Sequence, residues 1–322
     1  MKGIYRDVIL TIILGAVIPA LLFCVPKNDE NPSIPTETTL EFESPELIQQ
    51  TVTLLKADGS VEEIELQEYV LHVVLKEMPA SFEEEALKAQ SVVARTYAVK
   101  REKGNSKHPE ASLCTNPQCC QGYCTVEDYL NQGGSYTNVQ KIQKAVNDTK
   151  GEVITYQKNL IDATYFSCSG GITEDAKAVW GQDVPYLQSV ESPGEENAAH
   201  FTDTVTISFN DFNFLLGQEL SGNPDGWVDN ITYTAGEGVD TITIENVTYS
   251  GTVFRQRLGL RSTSFDIIIT DNAVVITTRG YGHRVGMSQY GADAMAVTGK
   301  DYKEILKHYY TGTEITTYSY ND

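Results

Sequence analysis

Val8 to Val25 is a run of eighteen residues without a charge, and it constrains the chain more than any other segment. A helix of that length rises about 1.5 Å per residue and spans roughly 27 Å, close to the hydrocarbon core of a bilayer. A removable signal peptide needs a small-residue cleavage site after the run, and Leu22-Phe23-Cys24-Val25-Pro26 offers none. A lipoprotein signal needs a small residue before its cysteine, and Phe23 is not small. Lys2 and Arg6 precede the run and acidic residues follow it. The rule that positive charge stays inside then places the bulk of the chain outside the cytoplasm. The expected organisation is a cytoplasmic stub at 1–7 and a single-pass membrane anchor at 8–25. A flexible tether follows at 26–49, rich in Pro, Glu, Thr, Asn and Ser, and one extracytoplasmic domain occupies 50–322.

That domain is long enough for a sizeable core. The formal net charge is −20. A chain so acidic does not neutralise phosphates, so nucleic acid is not an expected partner. Thr51–Leu55 and Val61–Leu66 flank Asp58-Gly59, which predicts a hairpin because Asp-Gly accepts positive φ. Tyr69, Val70, Val73, Val74 and Glu77 recur at helical spacing, which predicts a helix over 67–78 that Pro79 stops. Ser81 and Glu84 have capping-box spacing before a second helix that runs to about Lys103. His108 to Tyr136 lacks periodicity and reads as part of a loop insertion at about 104–136. Further on, strands are expected at 152–156, 163–167, 241–245, 265–270 and 273–278. Helices are expected at 141–147, 251–258, 288–296 and 302–309. Strands and helices mix without regular alternation, so the fold class is α+β, arranged around a substrate cleft.

Glu77 closes the apolar stripe of the first helix and sits in its last turn. Withdrawal from water and the negative end of the helix dipole both disfavour a charged carboxylate there. A carboxylic acid that keeps its proton can serve as a general acid. An ordinary solvated Glu at a helix end fits the same spacing.

The string Lys76-Glu77-Met78-Pro79, with Glu85-Ala86-Leu87-Lys88-Ala89-Gln90 and Ala94-Arg95-Thr96-Tyr97, resembles the stage II sporulation protein D family. Ser167-Cys168-Ser169-Gly170-Gly171-Ile172-Thr173-Glu174 is similar to that family's Gly-Gly-x-Thr-Glu motif. Gly282-His283-Arg284-Val285-Gly286-Met287-Ser288-Gln289-Tyr290-Gly291-Ala292 is similar to its Gly-His-x-Val-Gly-Met-Ser-Gln motif. The three segments span about Val61 to Tyr309 in the family's order. The resemblance implies a peptidoglycan lytic transglycosylase of forespore engulfment, with Glu77 as its single catalytic acid. It also implies two partners besides the glycan strands and the membrane: a membrane-anchored cell-wall amidase and a polytopic scaffold protein. The same family includes proteins regarded as enhancers of a wall amidase, which bind glycan without cutting it.

Other residues of these motifs are candidates for substrate binding. Arg95 could orient an amide or carboxylate, or form an ion pair. Ser169 and Glu174 follow a strand, where loops often build sites, although the glycines between them also suit a plain turn. His283 stands among glycines, and Gln289 and Tyr290 fall at an expected helix start. Cys168 would need a paired His to act as a nucleophile.

His108, Cys114, Cys119, Cys120 and Cys124 crowd one segment. A structural zinc takes four such ligands and could order a loop that has few core residues. The set His108, Cys114, Cys119 and Cys120 resembles a cluster at this place in some clostridial-type members of the family, with Cys124 to spare. Disulfides are the alternative, since four cysteines allow three pairings.

Overall fold

The computed structural model describes residues 50–199 and 201–318. The expected stub, anchor and tether lie outside them. Among the described residues no helix is long and apolar enough to cross a membrane.

β1 (Thr51–Leu55) and β2 (Val61–Glu65) form the expected hairpin, with Leu55 opposite Val61. Gly59 takes φ 85° in its turn. α1 (Leu66–Glu77) starts where the Glu65 side chain accepts the Glu68 N–H, and it buries Tyr69, Val70, Val73 and Val74. α2 (Glu84–Lys100) begins at Glu84 rather than Ser81, and no side chain caps it. The expected capping box gives way to a local turn and one tertiary bond. Phe82 N–H donates to Pro79 O at 3.0 Å, and Glu83 N–H donates to Asp293 Oδ1 at 2.7 Å. A wide π-type turn, Arg101–Asn105, follows α2.

The expected loop insertion is more structured than its composition suggests. β3 (Leu113–Cys114) adds in parallel to β1, and α3 (Val126–Asn131) is capped by Thr125. α4 (Tyr136–Asp148) begins five residues before the expected 141 because Ser135 accepts the Asn138 N–H. β4 (Glu152–Tyr156), β5 (Asn159–Leu160), β6 (Tyr165–Phe166) and α5 (Ala176–Trp180) complete the first half.

A second apolar core then forms within 202–279. It is built from β7 (Thr202–Ser208), α6 (Phe209–Leu216), β8 (Val228–Tyr233), β9 (Val239–Ile244), β10 (Val247–Ser250), α7 (Gly251–Leu258), β11 (Ser264–Ile269) and β12 (Ala273–Arg279). Its two antiparallel sheets run β10-β9-β8 and β11-β12-β7. Phe212, Phe254, Phe265 and Trp227 fill it. The chain returns to the first core through β13 (Met287–Ser288), α8 (Gln289–Val297), α9 (Tyr302–Tyr309) and β14 (Glu314–Thr317). β14 pairs with β4, and β13 pairs in parallel with β6. The architecture is α+β, as expected.

Arg284 joins the two cores. It is 1% exposed, with φ 66°. Its guanidinium donates to Ser169 O (2.8 Å), Ile172 O (2.8 Å) and Gly236 O (2.6 Å), and to Glu174 Oε1 at 3.3 Å. Glu174 Oε1 also accepts from Thr234 Oγ1 at 2.8 Å. Gly236 and Gly238 leave the space these groups occupy: a Cβ on Gly238 would stand 2.0 Å from Glu174 Oε1. The ion pair therefore pins the turn between β8 and β9 to the first core.

Candidate active cleft and Cys/His cluster

Two local pairings build the site. Cys168 and Tyr281 exchange backbone hydrogen bonds of 3.2 and 2.7 Å, and Tyr165 lies opposite Met287. These contacts draw the 280–291 segment against 165–171. Gly170 and Gly280 permit the approach. Both have φ near +80°, and a Cβ on either would fall within 2.9 Å of the other segment's backbone. The resulting cleft has a volume of about 670 Å³. Glu77 enters it from the end of α1, Tyr97 and Arg101 from the end of α2, and Cys119, Cys120 and Gln121 from the insertion. Tyr165, Trp180, His283 and Gln289 line the rest.

Of the described lining residues, Glu77 is the one carboxylic acid, although the chain as a whole is strongly acidic. It is half-buried, and its Oε1 accepts the Gly122 N–H at 2.6 Å. A Cβ on Gly122 would stand 2.6 Å from that oxygen, so glycine is needed for the approach. Tyr165 lies beside Glu77 in the cleft lining. Burial and then the Glu77 charge hold its phenol well above the ordinary range, so it stays protonated. Gln121 Nε2 donates to Tyr165 Oη at 3.3 Å, and Tyr69 Oη donates to Gln121 Oε1 at 3.2 Å. The Gly122 N–H thus orients the carboxyl, beside a hydrogen-bonded chain of Tyr69, Gln121 and Tyr165.

His283 meets the cleft as a neutral ring. Burial, with the Arg255 charge adding to it, pushes its imidazole down to about 4. Nδ1 accepts the Val285 N–H at 3.1 Å, which puts the proton of the neutral ring on Nε2. Gln289 is 7% exposed, and its Nε2 has no protein partner among the described residues.

The remaining candidates lie elsewhere. Arg95 is 1% exposed and spends its donors on Gln67 Oε1 (3.0 Å), Glu152 O (3.2 Å) and Val146 O (3.2 Å). It ties α2 to α4 and β4, away from the cleft lining. Ser169 is fully buried and donates to Glu195 Oε1 at 3.0 Å. Glu174 is the buried partner of Arg284. Tyr290 packs edge-on against Phe82 with centroids 5.0 Å apart. Cys168 is buried and donates to Glu195 Oε2 at 3.0 Å, so its partner is a carboxylate and not a histidine. Burial and Glu195 together raise its thiol, against nucleophilic use. Glu195, which also accepts from Ser169 N, Gly170 N and Ser192 Oγ, has no motif that marks it in the sequence.

His108, Cys114, Cys119 and Cys120 converge, with one ligand atom from each lying within 4.8 Å of all the others. His108 Nε2 stands 3.6 Å from both Cys119 Sγ and Cys120 Sγ. A tetrahedral zinc with its usual bond lengths sets N and S ligands about 3.5 Å apart, so the donor set and its spacing fit a metal ion. Cys124 stands outside the group: its Sγ donates to Thr125 O at 3.6 Å. Lys107 Nζ and the Cys119 carbonyl close the turn. The segment Cys119-Cys120-Gln121-Gly122 therefore runs from the cluster directly to the groups that hold Glu77.

Fold and site together define an α+β domain with a single-carboxylate cleft beside a potential metal centre. The family model described as Stage II sporulation protein, SpoIID, matches residues 56–156. Stage II sporulation protein D of Bacillus subtilis (strain 168) is 43% identical over 265 residues, covering 81% of this chain and 77% of that protein. Its counterpart in Bacillus amyloliquefaciens is 42% identical, covering 81% and 76%. The chain belongs to the stage II sporulation protein D family. A protein named Amidase enhancer, of Bacillus subtilis (strain 168), is 30% identical over 303 residues, covering 76% of this chain and 40% of that protein.

Proposed function

We propose that this sporulation protein is a lytic transglycosylase that cuts peptidoglycan glycan strands between N-acetylmuramic acid and N-acetylglucosamine during forespore engulfment. The observation that carries the reading is Glu77, alone as a carboxylic acid among the described cleft residues and oriented by the Gly122 N–H. One carboxyl suffices for this chemistry. Glu77 protonates the glycosidic oxygen, and an oxocarbenium-like centre develops at the sugar. The C6 hydroxyl of the same sugar attacks that centre, and the Glu77 carboxylate accepts its proton. The product is a 1,6-anhydro end, and the acid is restored. The Gln289 amide and the His283 ring contact the substrate without transferring a proton.

The resemblance to Amidase enhancer supports a second reading, a glycan-binding partner of a wall amidase that does not cut. Incubation of the purified chain with isolated wall separates the two. Release of soluble fragments supports cutting, whereas tight binding without release supports the enhancer reading. A cell-wall amidase and a polytopic membrane scaffold are partners in either case.

The Cys/His cluster holds a structural zinc through His108, Cys114, Cys119 and Cys120. Bound there, zinc would neutralise the thiolates and order the insertion. The chain's own Gln121 and Gly122, next along the strand of sequence, then hold Tyr165 and Glu77. Purified protein is expected to carry about one zinc per chain. Cys119→Ser should lower both zinc content and the thermal midpoint. Metal analysis that finds no zinc in protein never exposed to chelator, with disulfides by mass, would replace the metal by the rival.

The chain acts from the membrane, held by residues 8–25 with the domain outside the cytoplasm. It should fractionate with membranes at full length, and its domain should be open to protease only from outside. A mature N-terminus between Pro26 and Pro35 would show instead that the segment is removed.

A further inference from the structure

Trp180 is 43% exposed at the edge of the cleft, although an indole normally contributes most when its area is removed from water. Its position is nevertheless fixed. It is the last residue of α5, where Asp175 caps the start and Gly181 closes the end with φ 73°. Its ring lies 5.3 Å from that of His283, which lies 5.6 Å from Phe166. His283 is itself tied to the Val285 N–H. The indole is thus packed against His283 on the cleft wall, and the residue stays 43% exposed.

We propose that Trp180 is a stacking platform for a pyranose ring of the glycan and sets the affinity of the cleft for strands. The inference rests on the reading of this cleft as a glycan site. The C–H hydrogens on one face of a pyranose carry partial positive charge and fit the negative face of an aromatic ring. The same contact removes apolar area of both partners from water. Trp180 makes no bond that changes in the reaction, so it acts on binding and leaves the chemical step to Glu77.

The chain has two tryptophans, and Trp227 is 4% exposed inside the second core. Indole fluorescence therefore reports Trp180 against a buried, constant background. The experiment uses the full chain carrying Glu77→Gln, titrated with soluble peptidoglycan glycan strands. Strands should shift and change the emission saturably, and Trp180→Phe in that background should abolish the signal. Trp180→Ala should raise Kd roughly tenfold, which is about 1.4 kcal/mol. In the chain with native Glu77, Trp180→Ala should raise KM by a similar factor and change kcat little. Binding of strands with unchanged emission and an unchanged Kd in Trp180→Ala would overturn the platform and leave the glycan reading intact. Failure of the Glu77→Gln chain to bind any strand would overturn both.

Discussion

Glu77→Gln is expected to lower the rate of glycan cleavage at least about a hundredfold, the usual scale for loss of a general acid, while the protein keeps its fold. The substitution preserves size at the end of α1, and an amide oxygen can still accept the Gly122 N–H that Oε1 now takes at 2.6 Å. What it removes is the only ionisable proton that a cleft carboxyl can give to the leaving oxygen. Neither Tyr165 nor His283 takes over. Tyr165 is held protonated far above neutral pH, and His283 is held neutral with its pKa near 4. Activity of the variant is measured on isolated wall, and folding by circular dichroism. Near-normal cleavage by a folded variant would sink the mechanism.

Arg284→Ala is expected to destabilise the domain by about 3–5 kcal/mol, the usual cost of breaking a buried ion pair from one side. It leaves the Glu174 carboxyl 1% exposed without its cation. It also removes the donors that satisfy three backbone carbonyls, of Ser169, Ile172 and Gly236. Because those groups connect the two cores, amide hydrogen exchange should rise first around residues 234–238. Urea unfolding measures the loss. A change under about 1 kcal/mol would mean that the Arg284–Glu174 pair does not hold the two cores together.

The contrast between Glu77 and Arg284 shows what the sequence makes legible. Helical spacing places Glu77 at the end of an apolar stripe, and α1 ends there. Local rules also place α7 at 251–258 and α9 at 302–309, because caps and periodicity act within one turn. His108, Cys114, Cys119 and Cys120 converge as the resemblance implied. Arg95, Ser169 and Glu174 show the limit. Each lies in a motif, yet each is buried with its hydrogen bonds made internally. A motif does not distinguish a side chain that meets substrate from one that builds the wall behind it. Gln121 and Trp180 carry no motif, and Tyr165 opens a matching segment without standing out in it; their contacts join residues more than forty apart in sequence. The capping box at Ser81 failed for a related reason: Asp293, far along the chain, takes the Glu83 N–H.

The most direct test of the central claim is digestion of purified wall by the chain in water enriched in heavy oxygen, with the new ends read by mass spectrometry. Intramolecular attack by the C6 hydroxyl predicts muramic ends that are lighter than the hydrolytic product by one water and carry no heavy oxygen. Reducing ends labelled with heavy oxygen would show that water is the nucleophile and would contradict the account.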